Sequence, residues 1–122
     1  MAVTIEELIA QKEALKGKRG QKYAFETSVG EIICKLPDAA LVAEALEMTP
    51  SFEANKHIVF NCVVDPNLRD GDLLKIYECF EPADIIAKIF LPGEITKIAN
   101  KLLDLAGFKN RITAKIYDEV KN

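Results

Sequence analysis

Two prolines set in matching frames constrain this chain more than any other feature. They open the runs Pro82-Ala83-Asp84-Ile85 and Pro92-Gly93-Glu94-Ile95. Proline at the first helical position loses no intrahelical hydrogen bond, and an acid in the first turn suits the positive end of the helix dipole. Each frame therefore predicts a helix with a sharp start. Behind Pro82 come Ile85, Ile86 and Ile89; behind Pro92 come Ile95, Ile98, Leu102, Leu103 and Leu105, closed by Gly107 as a C-terminal cap. The echo is too short to count as a repeat architecture.

Other stretches show similar punctuation. Thr4-Ile5-Glu6-Glu7 has the form of a capping box, and Ile5, Leu8, Ile9 and Leu15 fall near one face of the helix it starts. That helix is expected over 1–16, ending near Gly17, with a flexible basic tether over 17–21. Residues 22–36 change period. Tyr23, Phe25 and Thr27 alternate, Ser28-Val29-Gly30 makes a turn, and the β-branched run from Glu31 to Leu36 returns, which predicts a β-hairpin. A lone hairpin is marginal in water, so it must pack on helices or on another chain's strand. Its edges stay open unless something covers them, and an open edge allows self-association.

The remaining 37–122 reads as a helical body. Pro37-Asp38 starts a helix with Leu41, Val42, Ala45 and Leu46 inward and Glu44 and Glu47 outward. Thr49-Pro50 breaks it, and Ser51 is placed to cap the next. The run from His57 to Val64 suits a buried strand or a helix. Ser51 as a start and Asp65-Pro66 as a stop favour helix, and its apolar character on most sides makes it the central one. Asp70-Gly71-Asp72 starts a helix carrying Leu73, Leu74, Ile76, Tyr77 and Phe80. Asn110 is placed to cap a final helix with Ile112, Ile116 and Val120 on one face. The fold class is thus α+β, mostly α: an N-terminal helix and one hairpin, then a compact multi-helix body, in a single domain over 1–122.

The 49% apolar fraction is too high for a disordered chain, and a formal net charge of −3 gives no overall drive toward nucleic acid. The charge is uneven, since Lys12, Lys16, Lys18, Arg19 and Lys22 crowd into residues 11–22 against Glu13 alone. Such a stretch is usually a solvated loop. Its functional alternative is contact with phosphate or an acidic partner through Lys16, Lys18, Arg19 and Lys22. The N-terminus lacks the apolar core of a signal peptide, and no apolar run approaches the roughly 20 residues of a membrane span. The odd, scattered Cys34, Cys62 and Cys79 then suit a reduced compartment.

Little here suits catalysis. His57 is the sole histidine, and without clustered cysteines it offers no zinc site. The cysteines sit among apolar neighbours and read as core residues. Residues 65–76 resemble a calcium loop only superficially, because the fifth position is Arg69 and the twelfth is Ile76 rather than a bidentate glutamate. Lys16-Gly17-Lys18-Arg19-Gly20 is not a phosphate-cradling loop. Tyr23 and Phe25 beside the basic stretch form the one basic-plus-aromatic group, a short platform for single-stranded nucleic acid. No catalytic, cofactor or metal residues are expected.

The ordered set of segments is more specific than any one of them. A short N-terminal helix and basic stretch lead to Tyr23-Ala-Phe25-Glu-Thr27-Ser-Val-Gly30 and Leu41-Val-Ala-Glu-Ala-Leu46. Then come Asn61-Cys-Val-Val-Asp-Pro66-Asn-Leu68, Glu81-Pro82-Ala-Asp84-Ile-Ile and Ile89-Phe90-Leu-Pro92-Gly93-Glu94-Ile95. Over almost the whole chain this order resembles the XkdN-like tail assembly chaperones of phages and prophages of Gram-positive bacteria. The resemblance implies a non-enzymatic protein of the bacterial host cytoplasm, without cofactors. It implies binding to the tape-measure protein, keeping it soluble, and help in recruiting tail tube subunits, without retention in the finished virion. For such a role the candidate surfaces are the helix of Ile5, Leu8 and Ile9 and the final helix of Ile112, Ile116 and Val120. A small nucleic-acid-binding or regulatory module using residues 16–22 is the competing reading, and a minor structural tail protein is a third.

Overall fold

The computed structural model describes residues 2–108 and 112–117. In chain order these form α1 (Ile5–Ala10), α2 (Lys12–Arg19), β1 (Lys22–Thr27), β2 (Gly30–Lys35), α3 (Ala39–Leu46), α4 (Ser51–Cys62) and β3 (Val63–Asp65). There follow α5 (Gly71–Ile76), a 3-10 turn at Pro82–Asp84, α6 (Ile85–Ile89) and α7 (Pro92–Leu105). The mostly helical α+β class is the one that the sequence implies.

Helix α4 occupies the centre. It packs against α3, α6, α7 and the 3-10 turn, and it buries Ile58, Val59, Phe60 and Cys62. Ile85 and Ile86 from α6, and Ile95, Ile98, Ala99 and Leu102 from α7, close around it. Each fully buried Ile or Leu is worth roughly 1.5–3 kcal/mol relative to exposure, so this cluster supplies most of the drive to fold. Helix α4 stops sooner than the apolar run suggests. Val63 leaves the helix with φ −70° and ψ 122° and starts β3, which pairs antiparallel with β2 through Cys34↔Val63 and Ile33↔Asp65. The β-branched pair Val63-Val64 thus serves as strand, where it fits best. Ser51 is the first residue of α4 rather than its cap, and no side chain caps that end.

The hairpin is as expected, and β3 makes it a three-stranded sheet in the order β1-β2-β3. Its connection is Ser28-Val29, with Gly30 at φ +123°, a backbone conformation that side-chain-bearing residues rarely adopt. Tyr23 lies opposite Cys34, and Phe25 opposite Ile32. These four share the inner face, where Ile32 and Cys34 are buried and the two rings are half-buried.

The acids after the two prolines do more than sit near a dipole. Asp84 Oδ2 accepts from the backbone N–H of Phe80 (3.1 Å) and Glu81 (2.8 Å). Glu94 Oε1 accepts from Leu91 N–H at 3.4 Å, and the same carboxylate reaches across the fold to the hairpin turn. Ser28 donates its N–H to Oε2 at 2.6 Å and its hydroxyl to Oε1 at 2.7 Å. Burial works to raise the pKa of Glu94. The hydrogen bonds from Ser28 and Leu91 and the charge of Lys97 outweigh it and hold the carboxyl below its ordinary value.

Several expectations are corrected. The first helix breaks at Gln11 and resumes as α2, which continues through Gly17 to Arg19. The basic tether is therefore helical over 17–19, because Lys and Arg favour helix and suit its negative C-terminal end. Leu46 is 80% exposed, since it lies at the last turn of α3, beyond the reach of α4. Ile76 and Phe80 also point outward. Helix α5 has six residues, enough to turn only Leu73 and Leu74 toward the core. It ends in a Schellman motif in which Cys79 N–H bonds Leu74 C=O (2.9 Å) and Glu78 N–H bonds Lys75 C=O (3.0 Å). Glu78 takes the left-handed position, at φ 55°. The end of α7 repeats the motif with Gly107, as the sequence predicts, through Phe108 N–H to Leu103 C=O at 2.9 Å. The expected final helix is absent from 112–117, which has no regular structure; Asn110 and Val120 lie outside the described residues. A short amphipathic segment without a surface to bury against gains too little to nucleate a helix.

Two outcomes are expected. Glu78→Gly should raise stability by about 1 kcal/mol, because glycine takes the left-handed conformation without the side-chain penalty. Thermal melting, with a midpoint raised by roughly 4 °C, checks it. Glu94→Gln should cost about 1 kcal/mol by weakening charge-assisted hydrogen bonds. A carboxyl with a lowered folded-state pKa stabilises the fold above its unfolded pKa, and this stability is lost as pH falls through the folded value. Wild-type stability measured against pH should show that acid limb, and Glu94→Gln should flatten it.

Candidate partner-binding surfaces

The N-terminal element presents apolar side chains to solvent. Thr4 caps α1 through its hydroxyl, which accepts from Glu7 N–H at 3.1 Å, while Glu7 Oε1 accepts from Thr4 N–H at 3.3 Å. This closed capping box holds the first turn in register. Ile5, Leu8 and Ile9 then share one face by their three- and four-residue spacing. Ile5 is 72% exposed and Ile9 68%, Leu8 is exposed too, and no residue of α1 or α2 is buried. Leu15 on α2 adds a further exposed apolar side chain. The sequence places these residues on one helical face, and the structure leaves that face uncovered.

The second candidate surface divides. Ile112 and Ile116 are 92% and 95% exposed, without a helix to align them, and Val120 lies outside the described residues. Lys16, Lys18 and Arg19 are exposed in the last turn of α2, and Lys22 is exposed at the start of β1. Arg19 also borders a hollow of about 340 Å³ that Leu36, Pro37, Asp38 and Phe108 help to line. The aromatic partners assigned to the basic stretch do not join it. Tyr23 and Phe25 turn to the inner face of the sheet, beside Lys101 and Leu105 of α7, so they offer no open platform for stacked bases.

One exposed apolar group escaped the sequence reading. Ile76, Tyr77 and Phe80 follow one another around the end of α5, with Phe80 95% exposed. The shortness of α5, between Asp70 as cap and Pro82 as the next start, is the signal that its apolar residues outnumber its inward positions.

Asn61 and Arg69 are engaged structurally, and Cys34 and Cys62 are buried. Asn61 donates to the His57 backbone carbonyl at 2.8 Å and accepts from Arg69 Nη2 at 3.0 Å. Arg69 stacks over the Phe60 ring at 4.1 Å. His57 Nε2 is buried without a hydrogen bond and lies 3.8 Å from a Glu44 carboxylate oxygen, beyond hydrogen-bonding distance. Burial pushes the Cys34 thiol up to about 11. Burial, and then the neighbouring Cys34, push Cys62 to about 12. Both are neutral core thiols near pH 7 and not nucleophiles. Among the described residues no group of three His, Cys, Asp or Glu is placed to hold a metal, and no helix is long and apolar enough to cross a membrane.

An α+β protein that buries two of its three thiols and presents apolar helix faces to water has the make-up of a binding protein. Comparison with known families gives that class its identity. The family described as phage XkdN-like tail assembly chaperone protein matches residues 45–121, well over half of the chain, and the chain belongs to this family. No curated protein and no solved structure matches it. The matched span begins inside α3 and takes in α4, β3 and α5 to α7. The N-terminal helices and the hairpin precede it.

The thiol assignment predicts a reactivity pattern. With a thiol-specific chromogenic reagent at pH 8, Cys34 and Cys62 should stay unmodified in the folded protein and react fully in denaturant. Labelling sites mapped by mass spectrometry check it.

Proposed function

We propose that this tail assembly chaperone binds the tape-measure protein of its phage, keeps it soluble in the host cytoplasm, and helps recruit tail tube subunits before leaving the growing tail. The family assignment supports a role in assembly with phage tail proteins as partners. The observation that carries the finer reading is the uncovered apolar face of Ile5, Leu8 and Ile9 on a helix with no buried residue. A long helical protein that shows apolar stripes to water before the tube encloses it matches such a face by helix-to-helix packing. The core of the chain folds as one domain and acts as the platform. The basic turn of Lys16, Lys18, Arg19 and Lys22 supplies contacts to acidic side chains of the partner. Binding of this kind is modest, since tube subunits must displace it.

The test is the double variant Ile5→Asp with Leu8→Asp. Both positions are exposed, so circular dichroism should match the wild type, while co-purification with the tape-measure protein should be abolished. Undiminished co-purification from a folded double variant would remove the N-terminal helix as the binding surface.

A further inference from the structure

The free edge of the sheet carries an unbalanced charge pattern. Strand β1 is the outer strand, because β2 lies between it and β3. On the solvent face of the hairpin Lys22 sits opposite Lys35, and Glu26 opposite Glu31. Like charges directly across an antiparallel pair are destabilising. None of these four side chains is in an ion pair among the described residues, whereas Lys56 pairs with Glu53 at 3.1 Å.

The backbone of the same strand is poised to pair. Thr27 and Gly30 close the two-residue connection and are hydrogen-bonded to each other, as the first and fourth residues of a β-turn. The antiparallel ladder alternates from there, so Tyr23, Phe25 and Thr27 bond inward to β2. Lys22, Ala24 and Glu26 turn their N–H and C=O groups to the open edge, and all three are exposed. The Lys22 carbonyl is met there only by the Gln21 side-chain amide, at 3.3 Å.

We infer that β1 pairs with β1 of a second copy of this chain, antiparallel and centred on Ala24. That register sets Lys22 against Glu26 of the other copy, and Glu26 against its Lys22. Each unbalanced pair of the hairpin thereby gains an opposite charge beside it, on both sides of the two-fold axis. Ala24 meets Ala24 on the two-fold axis, and each of these pairs exchanges backbone hydrogen bonds through groups that meet no other strand among the described residues. On the inner face Tyr23 comes opposite Phe25 of the second copy. The shallow groove of about 230 Å³ bordered by Tyr23, Ala24, Phe25, Lys101 and Leu105 then continues across the axis. Joining the two sheets leaves both helical layers on one side, with the exposed faces of both N-terminal helices free.

Sedimentation equilibrium of the full chain reads the result. The wild type should associate reversibly to twice its 13.6 kDa mass. Ala24→Pro removes an outward N–H and no bond to β2, so it should be monomeric with an unchanged circular dichroism spectrum. Lys22→Glu should weaken the dimer about tenfold, because it makes two like-charge contacts across the axis. The same change replaces the Lys22–Lys35 repulsion by an attraction, so the monomer should melt no lower than the wild type. The double variant Lys22→Glu with Glu26→Lys should restore association. If Ala24→Pro does not fold, this charge exchange carries the test alone. A wild type that stays monomeric at about 1 mM, where even a weak complex forms, overturns the inference. So does a dimer indifferent to both the proline and the charge exchange, which must use another surface. A monomer whose Ala24→Pro variant loses tape-measure binding gives the edge to a partner's strand instead.

Discussion

Everything in this fold is arranged around the need of helix α4 to be covered on nearly all sides. A helix whose apolar residues do not keep to one stripe cannot lie on a surface. It must be enclosed, and here α3, α6, the 3-10 turn and α7 enclose it. The requirement sets the lengths of its neighbours. Helix α6 can be five residues long because Ile85 and Ile86 are wholly buried and Ile89 packs against the same core. Helix α7 is the longest, at fourteen residues, because it lies along α4 and buries Ile95, Ile98, Ala99 and Leu102 in step. The sheet joins the core at the same place. Cys62 ends α4, Val63 begins β3, and the buried Cys34 of β2 lies opposite Val63.

Much of this was legible in the sequence because it is written in local chemistry. Thr4 with Glu7, Asp38, Asp70, Pro92 and Gly107 each mark a helix end through short-range chemistry and act as read. Pro82 opens a 3-10 turn ahead of α6, and Asp84 and Glu94 bond backbone amides as well as facing the helix dipole. The hairpin was legible for the same reason, since its alternation and turn are short-range. What escaped depends on partners distant in sequence. Strand β3 is too short to show a period, and it is a strand only because β2 lies beside it. Leu46, Ile76 and Phe80 are apolar residues on genuine helices or their ends, and only the position of α4 decides that they are not covered. The segment 112–117 has helical spacing but no surface to lie on. At the candidate site the N-terminal face was readable as a stripe. That the stripe is uncovered was not, because exposure is a property of the whole fold. The inward turn of Tyr23 and Phe25 was likewise hidden until the sheet was seen to pack on α7.

The family match and the exposed surfaces occupy different parts of the chain. Residues 45–121 carry the match, and they hold most of the core. The uncovered stripe of α1, the basic turn of α2 and the open edge of β1 all precede that span.

The carboxylate of Glu94 has a consequence of its own. It accepts from the amide that precedes α7 and from the amide and hydroxyl of Ser28, sixty-six residues earlier in the chain. The start of the longest helix and the tip of the hairpin therefore share one anchor. Neither can fray without releasing part of what holds the other, so local openings at the two places are thermodynamically coupled. A hairpin that would be marginal alone is already joined to the core by Ile32, Cys34 and the pairing with β3, and Glu94 extends that tie to its turn.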